Sequence, residues 1–365
     1  PEPQSACTLL TQKTGRLELK GCPTWLIPNE QSSGYYRWSL DAEALQNLIA
    51  KGMPALSTAE KMGLGQAIVN AWAQQKLGTQ AAFAAVQPLL EREKHPAVLQ
   101  HTMKLYRAAH RYLEGDPAQS DVERRIQRDF RRVFARVGLR KRPRETAEQT
   151  VLRRDVLELL LYTGKDQALR ASVDRMGRRY LGLGTDNEFH PEALDIDIAQ
   201  TVLGVVGESL TPEDFDALSA RLEGEEESVR RGHLLAALTA VRDEALRNRA
   251  LALVLDERVR VSEAMRPLWG QLADVRTRDG AWAWLSANLD KVMARLSPRR
   301  SGWLPAVSNV YCSADKAKAV EALFTPRLDK MAGGKRELSK AVEGLQICQA
   351  GKDAHRAELQ GFFAR

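Results

Sequence analysis

The chain has few cysteines. The four present, Cys7, Cys22, Cys312 and Cys348, form no C-x-x-C pair, which excludes a disulfide-framework fold and a zinc ribbon. No apolar run approaches the ~18 residues of a membrane-spanning helix. Val156 to Leu161 is short and carries Glu158, and Ile196 to Val206 is broken by Gln200 and Thr201. Charge is nearly balanced: the net value of +7 and a pI near 9.3 favour solubility without selecting a partner. A hydrophobic content of 44% with 28% charged residues excludes disorder as the dominant state. The chain starts at Pro1 rather than Met and shows no signal-peptide pattern, so it reads as a piece of something longer.

Catalytic motifs are missing too. There is no G-x-S-x-G, no phosphate-binding G-x-x-x-x-G-K-[ST] and no dinucleotide fingerprint after a strand. Leu181-Gly-Leu-Gly184 is too short for the last and follows a helix. A zinc hydrolase helix needs two imidazoles one turn apart around a glutamate, H-E-x-x-H. None of the six histidines provides this: His95, His101 and His110 do not share a helix face, and His190, His233 and His355 are isolated. Each reads as a surface or structural histidine.

What is present divides near residue 40. From Pro1 to Leu40 the residues are strand-like, with β-branched and aromatic side chains between Pro and Gly punctuation. Thr8 to Lys20 reads as a hairpin turning at Thr14-Gly15, which pairs Leu10 with Leu19 and Cys7 with Cys22. Cross-strand Cα separations of ~4.5–5.5 Å allow a disulfide there. The alternative is two reduced thiols, or a register shifted by one. A Cys7–Cys22 bridge favours a periplasmic or secreted parent over a cytoplasmic one, with Cys312 and Cys348 reduced and buried.

From Asp41 onward apolar residues recur at helical spacing. Ser57-Thr-Ala-Glu60 is a capping box and Thr211-Pro-Glu-Asp214 a second helix start. About fifteen helices follow, the last two expected at 335–349 and 352–363. Many short helices on short turns cannot share one core, so the expected fold is mostly α: an irregular, HEAT-like α-solenoid of stacked hairpins behind a small partial β-sandwich. No fixed-length repeat is visible.

The densest feature is basic: Arg124, Arg125, Arg128, Arg131, Arg132, Arg136, Arg140, Lys141, Arg142 and Arg144. Val122, Ile126, Phe130, Val133, Phe134 and Val137 form the opposite, apolar arc. No aromatic residue interleaves with the cations, so the face reads as solvated or partner-facing rather than nucleic-acid-binding. Trp282 and Trp284 are expected to pack within and between hairpins.

Trp25-Leu-Ile-Pro-Asn29, then Gly34-Tyr35-Tyr36-Arg37 and Trp38-Ser-Leu-Asp41, resembles a segment of the gluzincin zinc aminopeptidases of the membrane alanyl-aminopeptidase type. In that family a G-Y-Y-R strand closes a β-sandwich and leads into a large helical domain. Gly280-Ala-Trp-Ala-Trp-Leu-Ser-Ala-Asn288 resembles the family's late A-W-x-F/W-L-x-x-N helix, and Arg336 to Leu345 its penultimate helix. The H-E-x-x-H helix and G-x-M-E-N loop of these enzymes do not occur here.

The resemblance therefore implies a C-terminal portion, with residues 1–40 a partial β-sandwich and 41–365 a helical superhelix that encloses and gates the substrate cavity. Gly34, Tyr35, Tyr36 and Arg37 would be structural, and no catalytic or metal residue carries over. The implied partners are the parent's N-terminal catalytic domain and its peptide substrate, without nucleic acid or a membrane span. Zinc would belong to the parent, with no cofactor in this fragment and no activity of its own. The alternative is a free-standing α-solenoid scaffold that binds a protein or peptide.

Overall fold

The computed structural model describes residues 4–19 and 21–364. Among these there are sixteen α-helices and no β-strand. The strand reading of the first forty residues is corrected: from Gln4 to Leu40 the described chain is irregular, apart from one 3-10 turn at Glu30–Ser32. The end of the expected hairpin, Lys20, lies outside the described residues. The composition is that of a strand, but a ladder needs partner strands, and a lone two-stranded ribbon is marginal in water.

The helices fall into two compact units, residues 1–108 with the last two residues, and residues 109–363. The first holds α1 (Ala42–Asn47), α2 (Thr58–Ala73), α3 (Thr79–Arg92) and most of α4 (Pro96–Tyr112). Trp72, Phe83, Tyr106, Leu64 and Ile68 form its buried centre. Phe83 and Tyr106 meet edge to face at 4.9 Å, and the Trp72 indole N–H donates to Thr79 Oγ1 at 3.1 Å. The capping box at Ser57 is present, and its Glu60 does double duty. One carboxylate oxygen takes the Ser57 N–H at 2.8 Å and the other takes the Gln31 N–H at 2.9 Å. Burial pushes this carboxyl up, but the Gln31 and Ser57 donors outweigh it and hold the group below its ordinary range. Gln31 takes a left-handed φ of 50° to deliver that N–H, so the irregular segment is tied to the first long helix.

The second unit contains α5 (Gln119–Val137), α6 (Ala147–Glu158), α7 (Gln167–Leu181), α8 (Ile196–Gly207), α9 (Pro212–Gly224), α10 (Ser228–Leu238), α11 (Glu244–Ala252) and α12 (Arg266–Ala273). It continues with α13 (Arg278–Arg295), α14 (Pro298–Ser301), α15 (Ala314–Phe324) and α16 (Gly334–Phe363). Helices two apart in sequence stack: α6 on α8, α8 on α10, α10 on α12. The intervening α7, α9 and α11 each pack on an adjacent member of that row. This is the layering of stacked helical hairpins. One apolar core runs from Leu157 to Val259 and a second from Leu251 to Leu345.

The long link at residues 139–144 is held from below by Arg153, which is fully buried. Its guanidinium reaches Glu145 at 2.9 Å, Asp195 at 3.2 Å and the Leu139 carbonyl at 3.4 Å. The expected break between the last two helices is corrected, since α16 runs unbroken for 30 residues. Gly351 is there for close approach: a Cβ at that position would collide with the Tyr112 hydroxyl.

Candidate functional site

Two places in the second unit gather polar side chains. The first is a groove of about 1010 Å³ lined by the end of α6, the first half of α7, α8 and the turns that follow α8, α10 and α12. These segments meet because alternate helices stack, so successive hairpins send charged residues to the same edge. Arg170 and Arg242 both pair with Glu208, whose side chain is 8% exposed. Arg242 continues to Asp274 at 2.7 Å, and Arg276 joins Asp274 at 3.1 Å. Tyr162 donates to the Thr201 carbonyl at 2.7 Å. The result is a ladder of alternating charge across successive layers.

Burial pushes Glu208 above the usual carboxylate range, opposed by Arg170 and Arg242. Asp274 also suffers from burial, but its bonds from Arg276 and Arg242 outweigh this and bring it down to about 2. Both carboxylates are thus committed to guanidinium groups. The ladder has no free base or nucleophile, and chemically it braces the groove wall.

The second place is the turn after α4. Arg111 donates to the Asn309 carbonyl at 2.8 Å and also to that of Tyr311. Glu114 accepts from Arg278 at 3.1 and 3.2 Å. Asp116 accepts from Arg356 at 2.9 Å and Gln360 at 2.6 Å. The Tyr311 phenol lies 3.1 Å from the Arg278 carbonyl and 3.0 Å from Asp279. Burial first, and then the Asp279 carboxylate, raise its pKa, so it stays a donor at neutral pH. The first turn of this unit is thereby gripped by its last hairpins.

Residues 25–347 match the ERAP1-like C-terminal domain. The chain belongs to that family. That family is the C-terminal domain of the M1, gluzincin-type aminopeptidases. No curated protein matches the chain. Zinc, which the ERAP1-like family implies for its enzymes, does not fit His110, His190, His233 or His355, each of which is engaged within the chain. His110 bonds Glu123 at 3.1 Å, His190 bonds Asp186 at 3.0 Å, and His233 bonds the Tyr180 hydroxyl at 2.7 Å. His355 stacks on Tyr112. Among the described residues, no three His, Cys, Asp or Glu side chains converge to hold a metal ion.

The motif residues of the ERAP1-like chain sit in the first unit. Asn29 clamps Gly34 with two bonds, its amide donating to the Gly34 carbonyl at 2.9 Å and its oxygen accepting the Gly34 N–H at 2.8 Å. The Tyr36 hydroxyl donates to the Pro28 carbonyl. Tyr35, Tyr36 and Arg37 are all exposed.

Cys7 and Cys22 are exposed and unbonded. The expectation that Cys312 and Cys348 are reduced and buried is corrected: they form a disulfide with Cα atoms 5.1 Å apart, and both are partly exposed. On α5 the apolar arc is buried at Val122, Ile126, Phe130 and Val133. Arg124 meets Asp121, Arg125 meets Asp129 and Arg131 meets Asp166 within the chain. Trp282 and Trp284 both pack against the second core.

The charge ladder was missed from sequence. Its signal is faint but real: Arg170 and Glu208 are 38 residues apart, Arg242 and Asp274 are 32 apart, each about one hairpin.

Proposed function

We propose that this chain is the helical domain of a zinc aminopeptidase, which removes N-terminal residues from peptides, and that it encloses and gates the substrate cavity. The catalytic domain, with its zinc, lies outside these 365 residues. Residues 1–40 form the segment that leads into the superhelix of residues 41–365. Gly34, Tyr35, Tyr36 and Arg37 act as structural residues of that junction. The observation that carries this reading is the family match across residues 25–347 in a chain without H-E-x-x-H. The braced groove supports it, since a cavity wall needs rigid layers and no chemistry of its own.

On this reading the partners are the parent's catalytic domain and its peptide substrate. Export of the parent now rests on Cys312–Cys348 rather than on Cys7 and Cys22. The test uses the zinc-loaded parent enzyme and a peptide carrying a benzophenone several residues beyond its free amine. Irradiation should cross-link that position to residues within 41–365. Cross-links confined to the catalytic domain would refute the wall role.

A further inference from the structure

Successive layers of the second unit are tied together by polar bonds that span one hairpin. Gln127 reaches Gly164, Arg178 reaches Asp214, Arg231 reaches Glu263 and Arg327 reaches Asp290, over 37, 36, 32 and 37 residues. Cys312–Cys348 spans 36 residues and occupies the same kind of place in the last hairpin, but as a covalent bond. It joins the segment before α15 to the middle of α16.

Both joined elements grip the same target. The 309–311 segment supplies the carbonyls that hold Arg111. Beyond Cys348, α16 supplies Arg356 and Gln360 to Asp116, and the His355 ring to Tyr112. The disulfide therefore sets the spacing of two jaws that close on residues 111–116. It is also reachable, because both cysteines are partly exposed and the neighbouring Ile347 is 63% exposed. Exposed disulfides are the labile, regulatory ones, in contrast to those sealed in a core.

We propose that Cys312–Cys348 is a reducible latch that fixes the last hairpin on the 111–116 turn and frees it when reduced. The reductant is a dithiol of the thioredoxin class. One of its thiolates attacks a sulfur of the bridge, breaking the Cys312–Cys348 bond and forming a mixed disulfide. Its second thiol then displaces the cysteine, so two electrons pass to the bridge and the reductant leaves as its own disulfide. Cys312 and Cys348 each end as a thiol carrying one proton. With the bridge open, the two elements that hold Arg111 and Asp116 are joined by packing in the second core and no longer by a covalent bond.

The experiment is hydrogen exchange on the full chain, oxidised and after treatment with dithiothreitol, with Cys312→Ser as a second route to the open state. Iodoacetamide mapping without reductant should label Cys7 and Cys22 and spare Cys312 and Cys348. Reduction should speed exchange in residues 111–116 and 311–316 about tenfold while α8 and α10 keep their protection. Cys312→Ser should show the same fast exchange whether oxidised or reduced. Labelling of Cys312 and Cys348 before reduction would overturn the proposal, as would unchanged exchange at 111–116. Loss of protection spread evenly through α7 to α12 would also overturn it, because the bond would then be a general staple.

Discussion

Asp274 shows how one residue can be read physically once its neighbours are known and not before. Alone in the sequence it is one of 47 acidic residues. In the fold, Arg242 comes from the preceding layer and Arg276 from the same turn, and together they hold its pKa down to about 2 against an ordinary 3.8. Because the folded value is depressed, the stabilisation is present above pH ~4 and is lost as pH falls towards 2. The shift corresponds to about 2 kcal/mol. Asp274→Asn should therefore be less stable than the wild type at pH 7, and its melting temperature should fall less steeply from pH 4 to pH 2. Parallel slopes in scanning calorimetry would show that the ladder contributes nothing. The cysteines teach the same lesson in reverse. Cys7 and Cys22 can be set opposite one another on sequence alone, as a bridge or as two thiols, because a local turn can be read there. Cys312 and Cys348 meet only because α15 and α16 fold back on each other, and no local pattern records that.

At the scale of elements, periodicity and caps were legible. The Ser57 and Thr211 starts are where the hydroxyl and carboxylate spacing puts them, since both signals act within one turn of backbone. Two things were not legible. Gly351 looks like a break, yet it is a helical contact with Tyr112, a residue far away in sequence. The first forty residues have strand composition, yet no ladder forms among their described residues, because β-propensity depends on cross-strand neighbours and not on composition alone. Close helix contacts give a further check. Gly207 ends α8 where a Cβ would run into the Ala237 carbonyl of α10 and lie 2.8 Å from Ala240 Cβ. Gly207→Ala should cost about 1–3 kcal/mol by overpacking, read as a lower urea midpoint. Gly224→Ala, with open space around it, should stay within about 0.5 kcal/mol of wild type. Equal midpoints for the two variants would mean that α8 and α10 do not pack as described.

Across the whole molecule, the sequence hid a repeat that the fold reveals. No residue pattern recurs at fixed length, but bonds of 32 to 38 residues recur from Gln127–Gly164 to Arg327–Asp290. The period belongs to the hairpin, whose length varies, so it survives in which residues touch and not in which residues repeat. The family was legible from Trp25 to Asp41 and from Gly280 to Asn288, short stretches where backbone turns and aromatic packing restrict the choice of residue. The proposed role of this array is that of a wall without chemistry. It is tested most directly by zinc content and turnover of the purified chain, dialysed against zinc and then assayed with aminoacyl p-nitroanilides. Metal-assisted hydrolysis needs an activated water and a site for the free amine, so the account predicts well under one zinc per chain and no release of p-nitroaniline. One tightly held zinc per chain with measurable turnover would contradict it.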